Sequence, residues 1–299
     1  MSEANRGALR LSNAGRSCYI NAALQLITMM PELCGDMGVD ASALAQFLHG
    51  LYRHKWGPES EAVSYVDILK WVSNCLPREA HYTGTDGDAH EFFRAVIDAV
   101  QKDKASGGDA RVQKALHGEF HWTTTCKVCK HTSHRIERFD QLSVFIGKED
   151  VSVKAYLEGV FAPETLEGDN AYHCDPCGQK TIAVRQQYIR QFPRYLVLQV
   201  LRFNAAQKVL TPFRFVHRFR GEQDTDPIYQ LVGVVVHMGR SKASGHYQAY
   251  GVTRMDTERW EESEWELYDD ARAIGERAEA LTTRAVMRNV YILMYKKIN

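Results

Sequence analysis

The chain of 299 residues sets 37 Lys and Arg against 37 Asp and Glu, for a formal charge of zero and a pI near 7.2. That balance excludes an overall field that would gather nucleic acid or anionic membrane, so any partner must be chosen by a local surface. At this length folding hides roughly 75% of the unfolded surface, enough for a real core in one elaborate domain or two ordinary ones.

The opening MSEANRGALRLSN has no basic stretch followed by an apolar one, and the longest apolar runs, LVGVVV and YILMY, are too short to span a bilayer. The expectation is an intracellular protein, cytoplasmic or nuclear, working without membrane or nucleic acid and as a monomer. Seven cysteines, four of them in two C-x-x-C pairs, suit metal binding in a reducing compartment better than a disulfide framework.

The first predicted element starts at Cys18. Ile20, Ala23, Leu24, Ile27 and Met30 form one helical stripe, a turn at residues 15–17 precedes it and Pro31 ends it. Helical patterns follow at residues 42–51 and 63–76. Another runs from Asp88 to about Lys102, where Ala89, Phe92, Phe93, Val96, Ile97 and Val100 recur at steps of three and four. The small and charged tract KDKASGGDAR then reads as an exposed loop and a subdomain boundary. From Phe120 onward β-branched and aromatic residues dominate, and RFDQLSVFI, YLVLQVLRF, LVGVVVHM, YQAYGVT and NVYILMYKK read as strands. Residues 221–227 and 258–264 read as long polar connections. There is no repeat, low-complexity tract or heptad pattern.

Cys126-x-x-Cys129 and Cys174-x-x-Cys177, forty-four residues apart, each turn two thiolates toward a common point. This suits a closed, tetrahedral and structural Zn2+ site, with Gly178 easing the second turn. Incidental thiols and a redox pair are the plainer alternatives; neither pair opens a helix after a strand, as redox chemistry prefers. His131, His134 and His173 are close enough in sequence to replace a ligand but read better as surface histidines.

A free thiol with a pKa near 8.5 is only about 3% ionised at pH 7, so a nucleophilic Cys18 needs a helix N-terminus and an imidazolium partner. His246, in GHYQAY, offers the base, and Asp269, in WELYDD, a carboxylate to orient it. Asn13, five residues before Cys18 across a glycine turn, offers an amide donor for an oxyanion. Taken alone, Cys18 reads as a buried helix cysteine and His246 as a packed or exposed histidine; the combination points to a cysteine hydrolase. Cys34 and Cys75 read as core or incidental thiols.

LSNAGRSCYINAALQ resembles the cysteine box of the ubiquitin-specific proteases, DAHEF a second short box, and LVGVVVHMGRSKASGHYQAY with WELYDD the histidine box. The two cysteine-bearing segments between them resemble that family's zinc fingers, so the resemblance runs in order from about Leu11 to Tyr295. It implies an α+β, papain-like fold in one catalytic domain over 1–299, with a helical thumb (1–118), zinc-bearing β fingers (119–192) and a β-sheet palm (193–299). It further implies ubiquitin as partner and cleavage of the isopeptide or peptide bond after its C-terminal glycine. In these terms Cys18 is the nucleophile, His246 the base and acid, Asp269 the orienting residue, Asn13 the oxyanion donor and Asp270 an assisting carboxylate. Asp88 and Glu91 match positions that hold the ubiquitin tail, and Gly245 and Tyr247 flank His246 beside the same channel. A capped, solvated helix start is the plainer reading of Asp88 and Glu91.

Three departures stand out. Arg16 and Ser17 replace asparagine and threonine before the nucleophile, placing a further cation near the thiol. Asp86 and Gly87 stand where glutamine precedes the DAHEF aspartate, removing an amide contact to the tail and leaving the modifier open. Asn21-Ala22 replaces Asn-Ser. Rival readings are an inactive ubiquitin-binding scaffold, a protease for a ubiquitin-like modifier, a general papain-like peptidase, and a nucleic-acid module using Arg214, His217, Arg218 and Arg220. In the family comparison that last segment resembles a mobile loop beside the active site, read here as solvated.

Overall fold

A computed structural model describes residues 8–13, 15–35, 41–57, 63–76, 87–147, 151–203, 207–221, 225–241, 244–254 and 264–298. Among them the first part of the chain is helical: α1 (Cys18–Ile27), α2 (Pro31–Cys34), α3 (Ala43–Trp56), α4 (Tyr65–Cys75), α5 (Ala89–Lys102) and α6 (Gly108–Leu116). The strands β1 (Gly118–Cys126), β2 (Thr132–Phe139), β3 (Leu142–Phe145) and β4 (Val151–Ser152) follow, then α7 (Val153–Phe161). Next come β5 (Glu164–Leu166), β6 (Tyr172–Cys174), β7 (Gln179–Thr181), β8 (Ala183–Gln191), β9 (Tyr195–Leu201), β10 (Phe213–Arg214), β11 (Arg218–Arg220), β12 (Ile228–Ser241), β13 (Ser244–Val252), β14 (Glu264–Asp269) and β15 (Arg272–Arg277). Helix α8 (Arg284–Asn289) leads into β16 (Val290–Lys297). Among the described residues no helix is long and apolar enough to cross a membrane.

Polar side chains set where the helices begin. Ser42 accepts from the Ala45 N–H ahead of α3, Ser64 from Val66 ahead of α4, and Asp88 from His90 and Glu91 ahead of α5. Pro31 does not simply end α1: it occupies the first turn of α2, where its missing N–H costs no helical bond. The expected loop after α5 is confined to a short turn, because α6 starts inside that tract at Gly108. A Cβ on Gly108 would overlap the Val100 carbonyl, so this close return requires glycine.

The main sheet runs β15-β14-β13-β12-β16-β9-β3, with β11 also on β12, and is antiparallel except for β3 against β9. Its central strands are almost wholly buried: Tyr195–Val200 with one half-exposed residue, and Val290–Tyr295 throughout. A second sheet, β2-β1-β8-β5, carries the cysteine knuckles, and β6-β7 forms a small hairpin beside it. At its base Phe120 stacks on Phe139 at 4.3 Å; higher up, β2 is mostly exposed.

Helix α1 is the centre of the molecule. All of Tyr19 to Ile27 is buried, not one stripe alone, because α1 lies over β12 and β13 with α5 beside it. Its seat is a pair of glycines, Gly233 and Gly251, directly opposite each other on the two strands. A Cβ on Gly233 would lie 2.5 Å from a Leu26 methyl and 3.2 Å from the Met29 sulfur; one on Gly251 would overlap the Met29 methyl. The missing side chains let α1 settle onto the sheet, and this height places its N-terminal cysteine at the level of β13. Gly251→Val should destabilise the protein by about 1–3 kcal/mol through overpacking, read in urea melts. Met29→Ala in the same chain should recover part of that loss, since touching residues couple; strictly additive losses would refute this seating.

Candidate active site

Gly15, at φ +110°, turns the chain back before α1 in a conformation that favours glycine. The turn lets the Asn13 side-chain oxygen accept the N–H of Gly15 (2.8 Å), the N–H of Ser17 (3.1 Å) and the Ser17 hydroxyl (3.0 Å). Those donors fix which end of the amide is oxygen. Its Nδ2 faces the other way and donates to Asp270 Oδ2 at 2.8 Å, which leaves one N–H for another acceptor. Asn21, three residues after Cys18 and on the same helix face, donates to Asp270 Oδ1 at 2.7 Å. The Asp270 carbonyl also accepts from Leu11 N at 3.3 Å. Asp270 therefore ties the loop before the cysteine, and the helix after it, to the β14–β15 turn.

His246 stands on β13 and Asp269 ends β14. The His246 Nε2–Asp269 Oδ1 distance is 2.5 Å, while Asp270 Oδ2 lies 3.9 Å from the same nitrogen. Nδ1 is then the nitrogen left for Cys18. A hydrogen bond with Cys18 is the largest influence on the imidazole, followed by burial, which opposes it, and by Asp269; together they raise the His246 pKa to about 9. The two adjacent aspartates diverge because Asp269 is extended strand whereas Asp270 has φ +55°, a left-handed turn conformation that aspartate tolerates. Thiol, imidazole and carboxylate thus meet, with a half-committed amide at hand: the parts needed for nucleophilic attack, proton transfer and oxyanion stabilisation.

The residues expected along the substrate tail divide. Gly245 is exposed and pairs with Gly239, and Glu91 is exposed on the first turn of α5. Asp88 is buried, 5% exposed: one oxygen caps α5 and the other accepts from Tyr291 OH at 2.6 Å. A carboxylate used internally in this way caps the helix start, but buried rather than solvated as the plainer reading had it. Tyr247 is also buried, its ring edge-on to His237 at 4.7 Å, because neighbours of His246 along a strand point to the opposite face. Of the departures, Ser17 is buried in the Asn13 network while Arg16 is exposed. Asp86 lies outside the described residues. The space a Cβ on Gly87 would take holds the Tyr19 ring.

The four knuckle cysteines converge. Their sulfurs all lie within 4.8 Å of one another, with Cys126–Cys177 at 4.0 Å and Cys129–Cys174 at 3.5 Å. Bonds of about 2.3 Å to one tetrahedral ion imply sulfurs about 3.8 Å apart, so the cluster fits a single metal held by four thiols. Lys130 at φ +61° and Gly178 at φ +63° close the two knuckles. His131, His134 and His173 are exposed and outside this cluster. Cys34 is fully buried, and burial pushes its thiol up to about 12, in keeping with a packing role; Cys75 is half-buried.

Sequence reasoning missed the structural parts of the site. Asn21 entered only as a family variant, although its three-residue spacing from Cys18 puts the two on one face. The basic segment is not a uniform loop: Arg214, Arg218 and Arg220 are exposed on short strands, and His217 is buried.

Across residues 9–295 the chain matches the family model described as ubiquitin carboxyl-terminal hydrolase. It is 29% identical over 282 residues to ubiquitin carboxyl-terminal hydrolase 25 of Arabidopsis thaliana, covering 82% of this chain and 42% of that protein. It is 26% identical over 308 residues to ubiquitin carboxyl-terminal hydrolase 17-like protein 10 of Homo sapiens, covering 95% and 55%. The chain thus spans about half the length of these curated relatives. Its fold is similar to a chain in the structure of the SAGA Ubp8/Sgf11/Sus1/Sgf73 DUB module bound to ubiquitin aldehyde, with a TM-score of 0.79 at 20% identity, over 100% of this chain and 71% of that one. A match that runs almost end to end, over boxes whose cysteine, histidine and aspartate meet in space, means that this chain belongs to the ubiquitin carboxyl-terminal hydrolase family.

Proposed function

We propose that the chain is a deubiquitinating cysteine protease that hydrolyses the isopeptide or peptide bond after the C-terminal glycine of ubiquitin. The observation that carries this reading is His246 held by Asp269, with the Cys18 thiol the largest influence on its charge, within a chain of this family. The Cys18 sulfur adds to the glycine carbonyl while the proton remains on His246, and the second amide hydrogen of Asn13 serves the oxyanion. Collapse of the adduct breaks the C–N bond, with His246 giving its proton to the departing lysine amine. Water, deprotonated by His246, then attacks the thioester and releases Cys18. Asp269 keeps the imidazole in one orientation throughout, and Asp270 holds the Asn13 loop in place. Glu91 and Gly245 are the exposed candidates for contact with the ubiquitin tail.

We further propose that Cys126, Cys129, Cys174 and Cys177 hold Zn2+. With four thiolates on the ion there is no open position for water, so its contribution is to fold the end of the second sheet.

Ubiquitin carrying an electrophilic C-terminus should form one stable adduct at Cys18, located by mass spectrometry, and Cys18→Ala should abolish it; an intact wild-type chain that never reacts would end this reading. The sign of the pH dependence follows from His246. Its raised pKa means that the imidazole charge is complete below about pH 6.5 and is lost as pH climbs through about 9. The alkaline limb of kcat/KM should therefore lie near pH 9. NMR titration should find a lower His246 pKa in Cys18→Ala than in wild type, since the sulfur is its largest support; equal values would refute the contact. Stripping metal with a strong chelator should lower the melting temperature, and Zn2+ should restore it. An unchanged melt would argue against the metal.

A further inference from the structure

Residues 237, 238 and 239 of β12 lie opposite Tyr247, His246 and Gly245 of β13. Among the described residues β12 has no strand on its other side here, because pairing with β16 ends at Val236 opposite Val290. The carbonyls of His237 and Gly239, two residues apart on one strand, point the same way. Both accept from the Lys208 ammonium, that of Gly239 at 3.1 Å. The same ammonium donates to Asn289 Oδ1 at 2.7 Å, just before β16, and lies 3.3 Å from His237 Nδ1.

Lys208 is 6% exposed, and its hydrogen-bond partners among the described residues include no carboxylate. Burial, reinforced by the neighbouring Arg202 charge, lowers its pKa to about 8. A buried cation without a counter-ion is unfavourable unless its donors are satisfied, and here main-chain carbonyls of one strand end do much of the satisfying. His237 extends the support. Its ring occupies the space a Cβ on Gly245 would need, and sits edge-on to Phe203 at 5.1 Å and Tyr247 at 4.7 Å.

We propose that Lys208 is a positioning residue for the thiol chemistry: it stands in for the absent sheet neighbour along residues 237–239 and thereby fixes, across the ladder, the backbone that carries His246. The inference rests on the reading that Cys18 and His246 are the reacting pair. A lysine that merely filled the core would affect stability alone.

The test compares Lys208→Met, which keeps the stem and removes the ammonium, with Lys208→Arg, which keeps a cation and donors. With a ubiquitin C-terminal fluorogenic amide, Lys208→Met should lose about 30- to 100-fold in kcat while KM stays within about twofold, and Lys208→Arg should recover most of that loss. The pH profile of Cys18 alkylation by chloroacetamide should also shift in Lys208→Met. Alkylation needs no ubiquitin, so a wild-type protein that alkylates at Cys18 but ignores ubiquitin would overturn the substrate and leave this inference to be judged by alkylation. Wild-type kcat and an unshifted alkylation profile in folded Lys208→Met would overturn it, as would a kcat loss that only tracks the unfolded fraction. If Lys208→Met does not fold, Asn289→Ala weakens the same anchor: about a fivefold loss of kcat at unchanged melting temperature supports the proposal, and unchanged kcat overturns it.

Discussion

The seating of α1 on Gly233 and Gly251 is the contact on which the site depends. Cys18 on a helix and His246 on a strand can approach only if the helix axis is held at one height above the sheet, and two opposed glycines set that height. Met29 and Leu26 fill the space the glycines leave, so the fit is made by side chains about two to three turns beyond Cys18. Burial of α1 on every side then makes tilting it costly, because each of its neighbours would lose packing.

The second constraint is a division of labour between adjacent carboxylates. Asp269 and Asp270 share a chain position to within one residue, yet a left-handed turn separates their directions. One orients the imidazole; the other gathers the amides of Asn13 and Asn21 from either side of Cys18. The Asn13 loop and His246 are therefore indexed to one turn, and a shift of that turn would move both together. Lys208 braces β12, the strand paired with the one that carries His246.

The helix starts were legible because Ser42, Ser64 and Asp88 cap by local chemistry that spacing reveals, and β9, β12, β13 and β16 because their apolar runs are buried. Helix α6 was hidden by its own beginning: KDKASGGDAR looks like a loop, and only the close approach of Gly108 to Val100 explains why a helix starts there. Helix α7 lay within a region whose composition favours strand. Cys18, His246 and Asp269 and the clustered cysteines were legible as patterns, whereas the inward fates of Asp88 and Tyr247 were not, since both depend on Tyr291 and His237, which are distant in sequence. The burial of Lys208 was hidden for the same reason: only the end of β16 creates a need for it.

The sheet formed by β1, β2, β5 and β8 has its apolar packing concentrated at the base, around Phe120 and Phe139, and its four thiols at the far end. Between these ends β2 offers little to a shared core. Cooperativity is consequently divided within the protein. The outer end can open as a separate unit at a free energy below that of global unfolding, and amide exchange would then proceed along β2 while α1, β12 and β13 stay closed. The four thiols lie in that outer unit, so whatever joins them holds closed a part of the sheet that its own packing grips only weakly.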